Sequence, residues 1–127
     1  MKGREVLRSI DRLAQGILHP ISYNVCHYNK FLNLPVEDGL NKSKKAYEDS
    51  LKIPEYCESD YWGKRLEIGF RKAIYATFVG MQTQEEKEFE SIPLEKIANS
   101  CIMDAAAYLT KWADNILEKK VLTDTNS

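Results

Sequence analysis

Residues 60–80 read DYWGKRLEIGFRKAIYATFVG, and the fold turns on how this stretch is covered. Ser59 is a good N-cap, Asp60 suits the positive end of a helix dipole, and Gly80 is the expected last residue or C′ cap. At 100° per residue, Trp62, Leu66, Phe70, Ala73, Ile74 and Thr77 share one broad face. Ile68, Tyr75 and Val79 form a second stripe on the opposite side. A helix with two apolar faces has to be covered twice. Either it is surrounded within its own chain or it forms a subunit interface. The expectation adopted is the interface, and with it a homo-oligomer.

Working outward, helical period recurs on both sides. Val6, Leu7, Ile10, Leu13 and Ile17 make one stripe, closed by His19-Pro20 because proline does not continue a helix. PISYNVCHYNKFLNLP, residues 20–35, reads as loop or short helix. In the following segment Val36, Leu40, Tyr47 and Leu51 mark a thin face, interrupted by Ser43 and Lys44 and weakened by Gly39, with Pro54 ending it. Ser91 and Pro93 open a last helix whose stripe is Leu94, Ile97, Cys101, Ala105, Tyr108, Leu109, Trp112 and Ile116. Lys119 and Lys120 lie near its end, where cations suit the dipole. The sequence therefore predicts an all-α, single-domain bundle of four to five helices over residues 1–120, with a frayed tail at 121–127.

Composition narrows the function classes. Among 127 residues, 43% are hydrophobic and 29% charged, as in ordinary folded domains. Lys and Arg number 18 against 19 Asp and Glu, a net charge of −1, which disfavours a non-specific nucleic-acid binder or a polybasic membrane-surface protein. No apolar run reaches the roughly 18–20 residues that span a bilayer. The N-terminal segment has no signal-peptide core, and the odd set Cys26, Cys57 and Cys101 contains no CxxC pair. A cytoplasmic protein with reduced thiols is the simplest expectation.

Few residues carry an evident chemistry. Cys26, His27 and His19 lack the paired spacings of a zinc site and read as isolated side chains near a loop. GxSxG, Walker and dinucleotide glycine motifs are missing. Asp104 falls on the side of the last helix that carries Ile97, Cys101 and Tyr108. A carboxylate among apolar side chains needs a partner, such as Arg65, Arg71 or a tyrosine hydroxyl, or else a metal or ligand contact, with Glu67 as a second acid. Arg4, Arg8 and Arg12, spaced by four, line one strip of the first helix. They are either a solvated face or a grip on an anion, since guanidinium groups present forked donors. Lys42, Lys44, Lys45 and the EEKEFE run of 85–90 read as solvated surface.

The segment Cys101-Ile-Met-Asp104-Ala-Ala-Ala-Tyr108-Leu, continuing to Trp112-Ala113-Asp114, resembles the second metal-binding helix of the MazG-like all-α nucleoside-triphosphate pyrophosphohydrolases. Arg65-Leu-Glu67-Ile-Gly-Phe70, followed through Glu90-Ser-Ile92 to Asp104, is similar to their nucleotide-modification-associated branch. The resemblance covers about forty residues. It implies an oligomeric helical bundle and, in the enzymes, magnesium held by acids at the places of Asp104 and Glu67, completed here from the 85–90 loop. The acid that precedes the aspartate in that family is Ser100 or Cys101 in this chain, and Phe70 stands where a second acid would fall. A pocket kept without its metal acids binds without cutting. The sequence thus points to a non-catalytic, self-associating binding protein without a cofactor, taking a nucleotide-like or phosphate-bearing ligand through Arg4, Arg8 and Arg12. A magnesium-dependent pyrophosphohydrolase using Asp104 and Glu67 is the alternative.

Overall fold

Helix α3, Trp62–Gln82, is the middle of the molecule. In the computed structural model, which describes residues 2–18, 28–52, 62–82 and 92–126, it is flanked by α1 (Lys2–Leu18), α2 (Val36–Leu51) and α5 (Ile102–Asn126). A 3₁₀ turn, Tyr28–Phe31, precedes α2, and the short α4, Leu94–Ala98, precedes α5. Among the described residues every regular element is helical, so the all-α bundle expected from periodicity is what forms.

Leu66, Phe70, Ala73, Ile74 and Thr77 of α3 are buried, as are Ala76, Phe78 and Val79 beyond them. Thr77 satisfies its hydroxyl by donating to the Ala73 carbonyl at 2.7 Å. Of the second stripe, from which a subunit interface was expected, two members are covered from inside the same chain, while Ile68 is half-buried at the edge of a groove between α3 and α5. Tyr75 stacks on Tyr47 of α2 with ring centroids 6.2 Å apart, and Val79 is buried. The double face therefore marks a central helix with neighbours on several sides. Gly80 does not end it. The helix runs on to Gln82 because Met81 is buried in the core. Ser59 and Asp60 lie outside the described residues.

Helix α1 buries Val6, Leu7, Ile10 and Ala14 in the expected register. Tyr28 and Phe31 of the 3₁₀ turn enter the same core, Tyr28 with its ring centroid 6.1 Å from Phe70 and Phe31 6.2 Å from Phe78. Helix α2 behaves differently from its apolar pattern. Its fully buried residues are Gly39, Ser43 and Ser50, while Leu51 is 44% exposed. Small residues let α2 lie close on α3, and both serine hydroxyls bond carbonyls within α2, Ser43 to Leu40 and Ser50 to Tyr47. The residues that interrupt the hydropathy pattern are the contact face.

The last helix is broken where one continuous helix was expected. Ser100 donates its hydroxyl to the Lys96 carbonyl, its amide bonds Ile97, and the Cys101 carbonyl receives the amide of Ala105 to start α5. Asn and Ser compete locally for backbone groups, which favours a break at 99–101. The break shifts the helical phase, so Ile97 and Leu109 are both buried while Cys101 and Asp104 face solvent. Helix α5 then continues to Asn126. Once nucleated, extension fixes only one residue per hydrogen bond, and no glycine or proline follows Pro93 to stop it.

Candidate functional site

Three elements meet around a hollow of about 490 Å³ lined by Lys30 and Phe31 of the 3₁₀ turn, Leu34, Lys42, Lys45, Ala46 and Asp49 of α2, and Arg71 of α3. Lys42, Lys45, Ala46 and Asp49 lie at spacings of three and four, which puts them on one face of α2. Lys30 comes from the turn, its ammonium 5.3 Å from the centroid of the Phe31 ring. None of Lys30, Lys42 or Lys45 forms an ion pair with a described residue. Lys44, which the sequence groups with them, points elsewhere and approaches Glu48 at 4.0 Å.

The floor of the hollow is fixed by Arg71. One terminal nitrogen donates to the Ala46 carbonyl of α2 at 3.1 Å, and the other to Oε1 of Glu67, one turn back along α3, at 3.0 Å. Glu67 is 4% exposed, so its charge requires this partner. The wall is fixed by Arg4. Its guanidinium reaches from α1 to donate to the carbonyls of Phe31, Leu32 and Leu34 at 3.5, 3.0 and 2.5 Å, and it sits 5.8 Å from the Phe78 ring centroid. These carbonyls close the turn and have no other side-chain donor among the described residues.

Both sets of candidate residues are thereby redistributed. Arg4, Arg8 and Arg12 do not act as one strip, because Arg4 is turned inward and occupied by backbone carbonyls, while Arg8 and Arg12 are exposed. Glu67 and Asp104 are not brought into one site either. Glu67 faces α2 through Arg71, whereas Gly69, 200° further around α3, packs on Ala106 and Leu109 of α5. Asp104 is on the exposed side of α5, outside the apolar stripe where the sequence put it. Magnesium needs oxygen ligands that are free to bind it, and the Glu67 carboxylate already neutralises a guanidinium. Among the described residues no group of three or more His, Cys, Asp or Glu could hold a metal ion. The 85–90 acids, Cys26, Cys57, His19 and His27 lie outside the described residues.

A second polar cluster joins three helices. Lys72 of α3 pairs with Asp114 of α5 and lies 5.8 Å from the Tyr47 ring centroid on α2. Burial by itself would lower the lysine's pKa, but the hydrogen bonds its ammonium donates to Asp114 and Tyr47, with its electrostatic attraction to both, outweigh it, so it rises above the ordinary 10.5. This is a clamp across the bundle, with the ammonium fully protonated at neutral pH.

Sequence reasoning misses the hollow because Lys30 and Arg71 come from other elements than Lys42 and Lys45, and each lysine is an ordinary surface residue taken alone. The i, i+3 spacing of Lys42 and Lys45 was the only signal present. No protein-family model matches the chain, and no curated protein or solved structure matches it.

Proposed function

We propose that the chain is a non-catalytic binding protein for a compact phosphate-bearing ligand, of nucleotide-like or simpler kind, held in the hollow between the 3₁₀ turn and α2. The observation that carries this reading is three lysines, Lys30, Lys42 and Lys45, around one depression, none of them ion-paired with a described residue and together outnumbering Asp49 in its lining, in a chain of net charge −1. Ammonium groups on flexible stems suit phosphate oxygens as point charges. Arg71 contributes positive potential but not its terminal donors, which are engaged with Ala46 and Glu67. Binding without turnover is supported by the engagement of Glu67 with Arg71. A cytoplasmic place goes with it, since Cys101 is an exposed free thiol of the kind reducing compartments maintain. Among the described residues no helix is long and apolar enough to cross a membrane.

Calorimetric titration with inorganic pyrophosphate and with a nucleoside triphosphate tests the reading. Binding is expected for at least one, weakened about tenfold or more in the Lys42→Glu/Lys45→Glu variant, as charge reversal beside an anion requires. No heat with either probe, or equal affinity in the variant, refutes it. Pyrophosphate release from the triphosphate with magnesium, abolished by Asp104→Asn, would favour the hydrolase instead.

A further inference from the structure

The outward edge of α5 carries a surface that ligand binding does not use. Met103 is 49% exposed, and with Ile68, Ala106, Ala107 and Thr110 it lines a shallow groove of about 910 Å³ between α3 and α5. Met103, Ala107 and Thr110 follow one another at spacings of four and three, so they form a single ridge. Asp104 and Lys111 both stand on one flank of that ridge. They are seven residues apart, within about 20° of two full turns. Both are exposed, and neither forms an ion pair with a described residue. Ala107 lies midway between them.

This pattern is complementary to itself. Two such ridges, laid face to face and antiparallel about a two-fold axis through Ala107, keep each flank against the same flank of the other copy while reversing its direction. Asp104 then meets the partner's Lys111, and Lys111 meets the partner's Asp104. Parallel pairing sets opposite flanks together and loses the match. Alanine at the axis lets the helices approach closely, and Met103 is removed from water. Charges flanking an apolar ridge select partner and orientation in paired helices generally.

We propose that the chain forms a two-fold dimer with a second copy of itself through this ridge of α5, registered by two Asp104–Lys111 pairs. The surface takes in Ile68, the member of the second α3 stripe that its own chain leaves half-buried, and the pairing is independent of the ligand reading.

Sedimentation equilibrium on the full chain at micromolar concentrations is expected to return twice the chain mass. Asp104→Lys and Lys111→Asp are each expected to raise the dimer dissociation constant about tenfold or more, because like charges then face each other twice. The double variant is expected to restore it. Ala107→Glu, at an exposed position, places two carboxylates on the axis and is expected to give monomer, with circular dichroism reporting an unchanged helical content. A wild-type chain that stays monomeric throughout leaves the groove to some other partner and overturns the proposal. So does a dimer indifferent to both single substitutions, or a double variant no tighter than either single one.

Discussion

Gly39 of α2 lies directly against the ring of Phe78 of α3, so close that a single added methyl would overlap the ring edge. Phe78 is completely buried and is held edge-on by Phe31, which leaves its ring little room to yield. Alanine is the better helix former by about 1 kcal/mol, but overpacking a filled core costs about 1–3 kcal/mol and here involves a rigid ring. Gly39→Ala is expected to lower stability by about 1–2 kcal/mol in urea unfolding. Gly16, in α1, meets nothing within 4 Å, so Gly16→Ala is expected to raise stability by about 0.5–1 kcal/mol. Equal signs for the two substitutions would refute the close approach.

Arg4 ties α1 to a turn nearly thirty residues away. Arg4→Ala is expected to cost about 2 kcal/mol, since hydrogen bonds from a charged donor are lost and carbonyls near the core must be resolvated. Arg4→Lys should recover only part, as an ammonium lacks the planar fork. Arg8→Ala and Arg12→Ala, at exposed positions, should change urea midpoints very little.

The Glu67–Arg71 pair can be taken apart from either end. Glu67→Ala leaves a half-buried guanidinium without its carboxylate and is expected to cost about 3 kcal/mol. Replacing both, as Glu67→Leu with Arg71→Met, should recover much of that loss, because neither charge is then stranded. Adding magnesium should leave the thermal midpoint of the wild-type chain unchanged. A magnesium-dependent rise that Glu67→Gln removes would assign the carboxylate to a metal.

The Lys72 clamp has a defined pH signature. Its folded pKa lies above the ordinary 10.5, so the contribution is fully present below 10.5 and is lost as pH rises through the folded value. Urea midpoints of the wild type and of Asp114→Asn should differ at pH 8 and converge in the alkaline range above 10.5. A gap that persists there would mean the carboxylate acts through something other than the ammonium.

Ligand binding at the hollow should weaken steadily with added salt, as expected for exposed ammonium groups and an anion at a Debye length of about 8–10 Å. Lys44→Glu, reversing the lysine that leans toward Glu48, should affect pyrophosphate binding far less than Lys45→Glu one residue along. Equal effects would indicate general attraction to the helix rather than the hollow.

The parts of the fold legible in the chain are those in which burial coincides with hydropathy. Val6, Leu7 and Ile10 in α1, and Leu66, Phe70 and Ile74 in α3, announce their faces because apolar side chains gain most from leaving water. Helix α2 hides its contact face because Gly39, Ser43 and Ser50 contribute closeness instead of apolar area, and hydropathy does not register closeness. The double face of α3 is visible in its sequence, but which chain covers it is a property of how α1, α2 and α5 are arranged around it. Asp104 was misplaced by a helix break only three residues upstream, whose phase shift periodicity cannot see. The hollow was invisible because Lys30, Lys42 and Arg71 become neighbours only when a turn and two helices meet.

Arg71 serves three neighbours with one side chain: it anchors α2 at Ala46, neutralises Glu67 and floors the hollow. Lysine carries the same charge, but its one nitrogen would have to reach both acceptors that two separate guanidinium nitrogens reach now. The commonest conservative exchange at position 71 therefore weakens the seam and the floor of the hollow together.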